Sequence, residues 1–83
     1  MTWEELKEEA KWMGYEIVIR NVGGFTYEKI IVGRYKNIFF YRDGTMSCPF
    51  NYIDENGYAK EERIVMASFL TPDQMLAVMK ALQ

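Results

Sequence analysis

The side chains that most often do chemistry in proteins are nearly missing from this chain. It has no histidine and a single cysteine, Cys48. Histidine is the usual acid, base and metal ligand near neutral pH, and a nucleophilic thiol needs a base beside it. Cys48 has no histidine to activate it and is expected to be a small buried hydrophobe. Zinc and iron–sulfur centres would have too few ligands. Carboxylates adjoin at Glu4-Glu5, Glu8-Glu9 and Glu61-Glu62, but adjacent side chains on a helix or strand diverge, so these pairs read as solvated surface. The turn Asp54-Glu55-Asn56-Gly57 has the composition of a calcium loop. Aligning Gly57 with the sixth position of such a loop, however, puts Tyr52 and Arg63 at the first and twelfth positions, where carboxylates are required. Gly23-Gly24 lacks the spacing of a phosphate-binding glycine loop. No catalytic residue, no metal and no cofactor is expected.

What the chain has instead is contact chemistry. Aromatic residues make up 16% of it, and they dominate core and interface energetics. Most lie in the middle, between Tyr15 and Phe69, with Trp3 and Trp12 near the start. The same middle is basic. Residues 17–53 carry a net charge of +3, whereas residues 1–16 carry −3 and residues 54–83 carry −2. Aromatic and basic groups together suit either a protein surface, where aromatics and Arg make most hot spots, or single-stranded nucleic acid, whose bases stack on aromatic rings.

The elements that must position these groups follow from spacing. Thr2 and Glu5 form a capping box, and Trp3, Leu6, Ala10 and Met13 recur at helical spacing, with Gly14 placed to end the helix. Trp12 does not fit that stripe and lies on the side of Glu5, Glu8 and Glu9. Tyr15–Val22 and Phe25–Val32 read as strands joined by Gly23-Gly24. Gly33 to Asn37 reads as a turn, and Ile38–Arg42 as the third strand. Asp43-Gly44 predicts a two-residue type I′ hairpin. Thr45–Ile53 is the fourth strand, with Pro49 demanding an edge position or a break in pairing. Tyr58–Leu70 is a long fifth strand. Thr71, Pro72 and Gln74 open a second helix with Met75, Val78, Met79 and Leu82 on its apolar stripe. The fold class is therefore α+β, an antiparallel β-meander of four to five strands flanked by an N-terminal and a C-terminal helix, in one domain spanning residues 1–83.

A sheet with one wet face alternates apolar and polar residues. Ile38-Phe39-Phe40-Tyr41 and Ile30-Ile31-Val32 do not, so both faces receive large apolar groups. Two short helices cover one face at most. The other is either covered by twist and loops, paired with a second copy, or left as an interaction surface.

These features favour a non-catalytic protein-binding module, with Trp12, Tyr27, Arg34, Tyr35 and Tyr41 as candidate contact residues. The partner is another protein or a second copy in a homodimer. Single-stranded nucleic-acid binding through sheet aromatics and Arg/Lys is the alternative, though the chain is acidic overall and carries no RRM-type signature. A small enzyme or ligand binder using Tyr and Glu is a third reading. With no signal-like N-terminus, no long apolar run and no pair of cysteines, the cytoplasm is the expected compartment. In size, acidity and helix–meander–helix layout the chain is similar to many small proteins of phages and mobile elements, including inhibitors of host defence, which implies an inhibitor or accessory role; no single residue carries that resemblance.

Overall fold

A computed structural model describes all 83 residues. Helix α1 (Trp3–Trp12) starts where the capping box places it: Thr2 Oγ1 accepts the Glu5 N–H at 3.1 Å and Glu5 Oε1 accepts the Thr2 N–H at 3.0 Å. Helix α2 (Pro72–Ala81) repeats the device with Thr71 and Gln74 at 3.2 and 2.9 Å. Between them lie β1 (Glu16–Val22), β2 (Phe25–Val32), β3 (Ile38–Tyr41), β4 (Met46–Ile53) and β5 (Ala59–Ala67). They form one antiparallel sheet in sequence order, β1-β2-β3-β4-β5. This is the α+β meander expected from the alternating pattern and the turn signals. No helix is long and apolar enough to cross a membrane.

The strands are staggered rather than stacked. β3 has only four residues and pairs with β2 from Lys29 to Val32 and with β4 at Met46 and Ser47. The β1–β2 hairpin therefore runs past β3 at one end, from Phe25 to Glu28, and the β4–β5 hairpin runs past it at the other, from Cys48 to Ile53. At about 3.3 Å per residue, the second arm reaches roughly 20 Å beyond β3, which helps explain the 46 Å long axis. Pro49 falls within this arm. It pairs with Arg63 of β5 while its other side faces no strand, so its missing N–H costs no ladder bond.

Both helices pack on one face of the sheet. Trp3, Leu6 and Ala10 of α1 and Met75 and Met79 of α2 join Ile30, Val32 and Phe40 in one cluster. In the antiparallel ladder Ile30 sits opposite Phe40 and Val32 opposite Ile38, so the buried strand residues share a face. The α2 stripe is shifted from the expected one. Leu82 caps the helix and is exposed, while Leu76 is drawn against the core, because the helix ends before it would carry Leu82 onto the sheet. Cys48 is half-buried rather than buried, since it stands at the root of the β4–β5 arm, where helix cover stops.

Two further expectations are corrected. The Asp43-Gly44 hairpin is not a type I′ turn, because only Gly44 has positive φ. The Gly44 N–H donates to the Tyr41 carbonyl and the Tyr41 N–H to the Thr45 carbonyl, giving a three-residue loop with glycine in the left-handed position. The fifth strand ends at Ala67, not Leu70. Phe69 takes φ 59°, and the Leu70 N–H donates to the Gly44 carbonyl at 2.9 Å, tying the β5–α2 connection to the β3–β4 turn. At Gly44, with φ 95°, an added Cβ would lie 3.0 Å from the Leu70 carbonyl oxygen and 3.1 Å from the Phe69 Cα. Gly44→Ala should therefore cost about 2 kcal/mol, read as a lower urea midpoint with unchanged slope. An unchanged midpoint would mean that the turn relaxes freely.

Candidate functional site

The face opposite the helices has no covering layer. The ladder assigns it Val18, Arg20 and Val22 from β1, Tyr27, Lys29 and Ile31 from β2, and Phe39 and Tyr41 from β3. Glu16 of β1, Phe25 of β2, Ser47 of β4 and Glu61, Arg63 and Val65 of β5 share it. Adjacent strand residues point to opposite faces, so Phe40 goes to the core while Phe39 and Tyr41 go to this open side. Each open-side residue of β3 thus sits one position from a core residue, which is why the sequence there loses its alternation.

Tyr41 is the centre of the face. It retains only 7% exposure without any helix above it. Its ring meets Tyr27 edge-on, with centroids 5.6 Å apart, and carries the Arg63 guanidinium at 4.8 Å. Beside it, the Lys29 ammonium lies 4.4 Å from the centre of the Phe39 ring. The result is two cation–aromatic stacks side by side, a geometry that holds long basic side chains flat against the sheet. Burial alone would raise the Tyr41 hydroxyl, but the surrounding polar groups of Tyr27 and Arg63 outweigh it and hold its pKa below the ordinary tyrosine value. Burial and the nearness of Tyr41 push Tyr27 above that value. The Ser47 hydroxyl beneath them is fully buried and has no partner at hydrogen-bond geometry.

The opposite side of the sheet carries a buried charge cluster. Glu28, two positions from Ile30 on the helix side, accepts the Lys7 ammonium at 2.7 Å, the Trp3 indole N–H at 3.1 Å and the Arg42 guanidinium at 3.1 Å. Its bond to Lys7, against the opposing effect of burial, holds its carboxyl below the ordinary glutamate value. Lys7 is raised by the same bond. This cluster fastens α1 to β2. Glu28 and Lys7 are thus satisfied internally and leave no charge aimed at solvent.

Two grooves mark the surface. One of about 430 Å³ lies at the β4–β5 tip, lined by Asn51, Tyr52, Ile53, Ala59, Lys60 and Glu61. The other, of about 200 Å³, runs between Tyr27, Tyr41, Arg42 and Asp43. No cluster of three or more His, Cys, Asp or Glu side chains is arranged to hold a metal.

The chain matches no protein-family model, no curated protein and no solved structure. What the site can do therefore follows from its own residues.

The five sequence-derived contact residues fall into two places. Tyr27 and Tyr41 come together on the open face, with Tyr41 beneath and Tyr27 outside. Arg34 and Tyr35 lie in the exposed β2–β3 loop, Tyr35 at 79% exposure. Trp12 is 87% exposed at the last position of α1. Its indole faces solvent, in keeping with its place off the apolar stripe. The α1–β1 connection enters beside Ile31, so Trp12 and the β2–β3 loop occupy the same end of the sheet. Sequence reasoning missed Lys29, Phe39 and Arg63. The periodicity of β2 and β3 could have placed the first two on Tyr41's face; Arg63 could not be placed without the β4–β5 register.

Proposed function

We propose that this protein is a non-catalytic binding module whose open sheet face docks another protein. The observation that carries the reading is the uncovered face itself: an apolar and aromatic surface centred on Tyr27, Phe39 and Tyr41, with cations already laid over two of its rings. Contiguous apolar surface of this kind marks interaction sites. Aromatic and Arg anchors supply most interface energy. Arg20, Lys29 and Arg63 outnumber Glu16 and Glu61 on this face, while Glu4, Glu5, Glu8 and Glu9 sit on α1 across the sheet. The favoured partner surface therefore combines apolar groups with acidic ones that meet Lys29 and Arg63 over the central rings. An inhibitory or accessory role is consistent with such a module.

The stacked cations also support single-stranded nucleic acid as the second reading, because bases can replace the cations over Phe39 and Tyr41. One set of variants separates the two. Tyr27→Ser and Phe39→Ser leave the core untouched and should weaken capture of a cognate protein by at least about tenfold. Circular dichroism should be unchanged. Retention of full binding by both variants would overturn the protein-docking reading. A fluorescence-polarisation signal with labelled single-stranded DNA that falls steeply with salt would favour the second.

A further inference from the structure

We infer that the outer edge of β5 pairs with the same edge of a second copy, joining two sheets into one. β5 is the last strand in the sheet, and its outer side faces no other strand. Eight of its nine residues are exposed, including Ile64, Val65 and Met66. A long exposed edge with free N–H and C=O groups is a template for another strand. The opposite edge, β1, is less available, because α1 leads into it and packs against it.

The partner is argued from the charge order of the strand. In an antiparallel edge pair related by a two-fold axis, residues opposite each other share a face, so the pairing must be centred on a residue. The ladder between β4 and β5 runs without interruption from Ala59 to Val65. It breaks at the bulge where Met66 is left unpaired between Val65 and Ala67. The middle of that uninterrupted run is Glu62. Centred there, Ala59 lies opposite Val65 of the second copy, Lys60 opposite Ile64, and Glu61 opposite Arg63. Both Glu61–Arg63 pairs form on the open face, once on each side of the axis, with each Arg63 guanidinium swung from the Tyr41 ring to the edge, and the Lys60 stems cover Ile64. Centring one residue later sets Arg63 against itself and runs into the bulge; one residue earlier keeps two Lys60–Glu62 pairs but overlaps only Ala59 to Arg63 and leaves Ile64 and Val65 without partners in the run. Full overlap of the uninterrupted run selects the Glu62-centred register, and the Glu61–Arg63 pairs make that register charge-complementary. Its one repulsive contact is Glu62 with its own counterpart, softened by the Lys60 side chains two positions away and by the Tyr52 hydroxyl, which donates to Glu62 at 3.0 Å.

The edge shares Arg63 with the open face but neither Tyr27 nor Phe39, so Glu61→Arg reads the edge, Tyr27→Ser reads the face, and the two proposals fail separately. The experiment is the mass of the full chain by sedimentation equilibrium, from dilute protein to roughly 0.5 mM, a range that resolves weak self-association. The wild type should rise from the 9.8 kDa monomer toward twice that mass. Glu61→Arg alone and Arg63→Glu alone should each remain monomeric, at least about tenfold weaker, because each places like charges opposite one another. Mixed in equal amounts, the two variants should associate as strongly as the wild type. In that mixture the introduced arginine of one chain faces the introduced glutamate of the other, and the native Arg63 of the first faces the native Glu61 of the second. A variant that merely misfolds cannot be rescued in this way. A monomeric wild type at the highest concentration would overturn the inference. So would a mixture no heavier than its components, or dimers that Tyr27→Ser dissolves and Glu61→Arg does not.

Discussion

Glu28→Gln should lower the unfolding free energy by about 3 kcal/mol, because it breaks a buried ion pair while leaving its partner in place. The side chains of both Glu28 and Lys7 are at least nine-tenths buried. Lys7 keeps the exposed Glu4 at 2.9 Å, which places the cost at the low end of such losses. The effect should also depend on pH with a defined sign. Because the native carboxyl of Glu28 is held below its ordinary value, chiefly by Lys7, the stability it contributes is present above the unfolded glutamate pKa of about 4.3. It is lost as pH falls through the lower native value. The raised Lys7 behaves inversely: its contribution is full below the unfolded lysine value of about 10.4 and is lost only as pH rises through its higher native pKa. Across neutral pH the pair is therefore flat, and the gap between wild type and Glu28→Gln should close only in acid. Urea titrations of both proteins from pH 7 downward check this. A gap that persists undiminished to about pH 2, below the unfolded glutamate range, would refute the ion-pair account.

Phe40→Ala should be the most damaging single substitution, at about 4 kcal/mol. Phe40 is fully buried and is the largest of the fully buried side chains. It sits opposite Ile30 on one side and Met46 on the other, in the layer on which both helices rest. A domain of this size has roughly 4–12 kcal/mol of stability in total, so the loss approaches the whole margin. The melting temperature should fall by roughly 15–30 °C. The neighbouring Phe39→Ala is the informative control, because it removes the same ring from the open side and should cost about 1 kcal/mol. Thermal melts followed by circular dichroism distinguish them. Equal losses would mean that both faces of β3 are structurally buried, and the docking surface would lose its basis.

Much of the architecture is readable along the chain because it is set by neighbours in sequence. Thr2 with Glu5 and Thr71 with Gln74 are capping boxes whose partners lie three residues apart. Gly23 and Gly24 both take positive φ, as a two-residue hairpin requires. Pro49 demanded a strand position with a free side and has one. Asp43-Gly44 shows the limit of that reasoning. The dipeptide is compatible with two turn types, and the hydrogen bond from Leu70 to the Gly44 carbonyl joins the turn to a segment far along the chain.

The candidate surface was legible in part. The apolar run Ile38–Tyr41 and the misplaced Trp12 showed that more large side chains exist than two helices can cover. Which members of the run meet solvent is decided by the direction from which α1 and α2 approach the sheet, and strand periodicity alone cannot say it. Glu28 illustrates the same point for charge: in sequence it is one acid among twelve, and only the crossing of α1 over β2 surrounds it with Trp3, Lys7 and Arg42.

The sequence by itself determined the element order, the helix ends, the succession of hairpins and the scarcity of catalytic side chains, because these depend on local backbone preferences and on composition. The tertiary structure alone decided which face is open, that Arg63 lies on Tyr41, and that β5 ends the sheet with a free edge. Each of these depends on strand register and helix docking, which bring together groups distant in sequence through packing that no local pattern encodes.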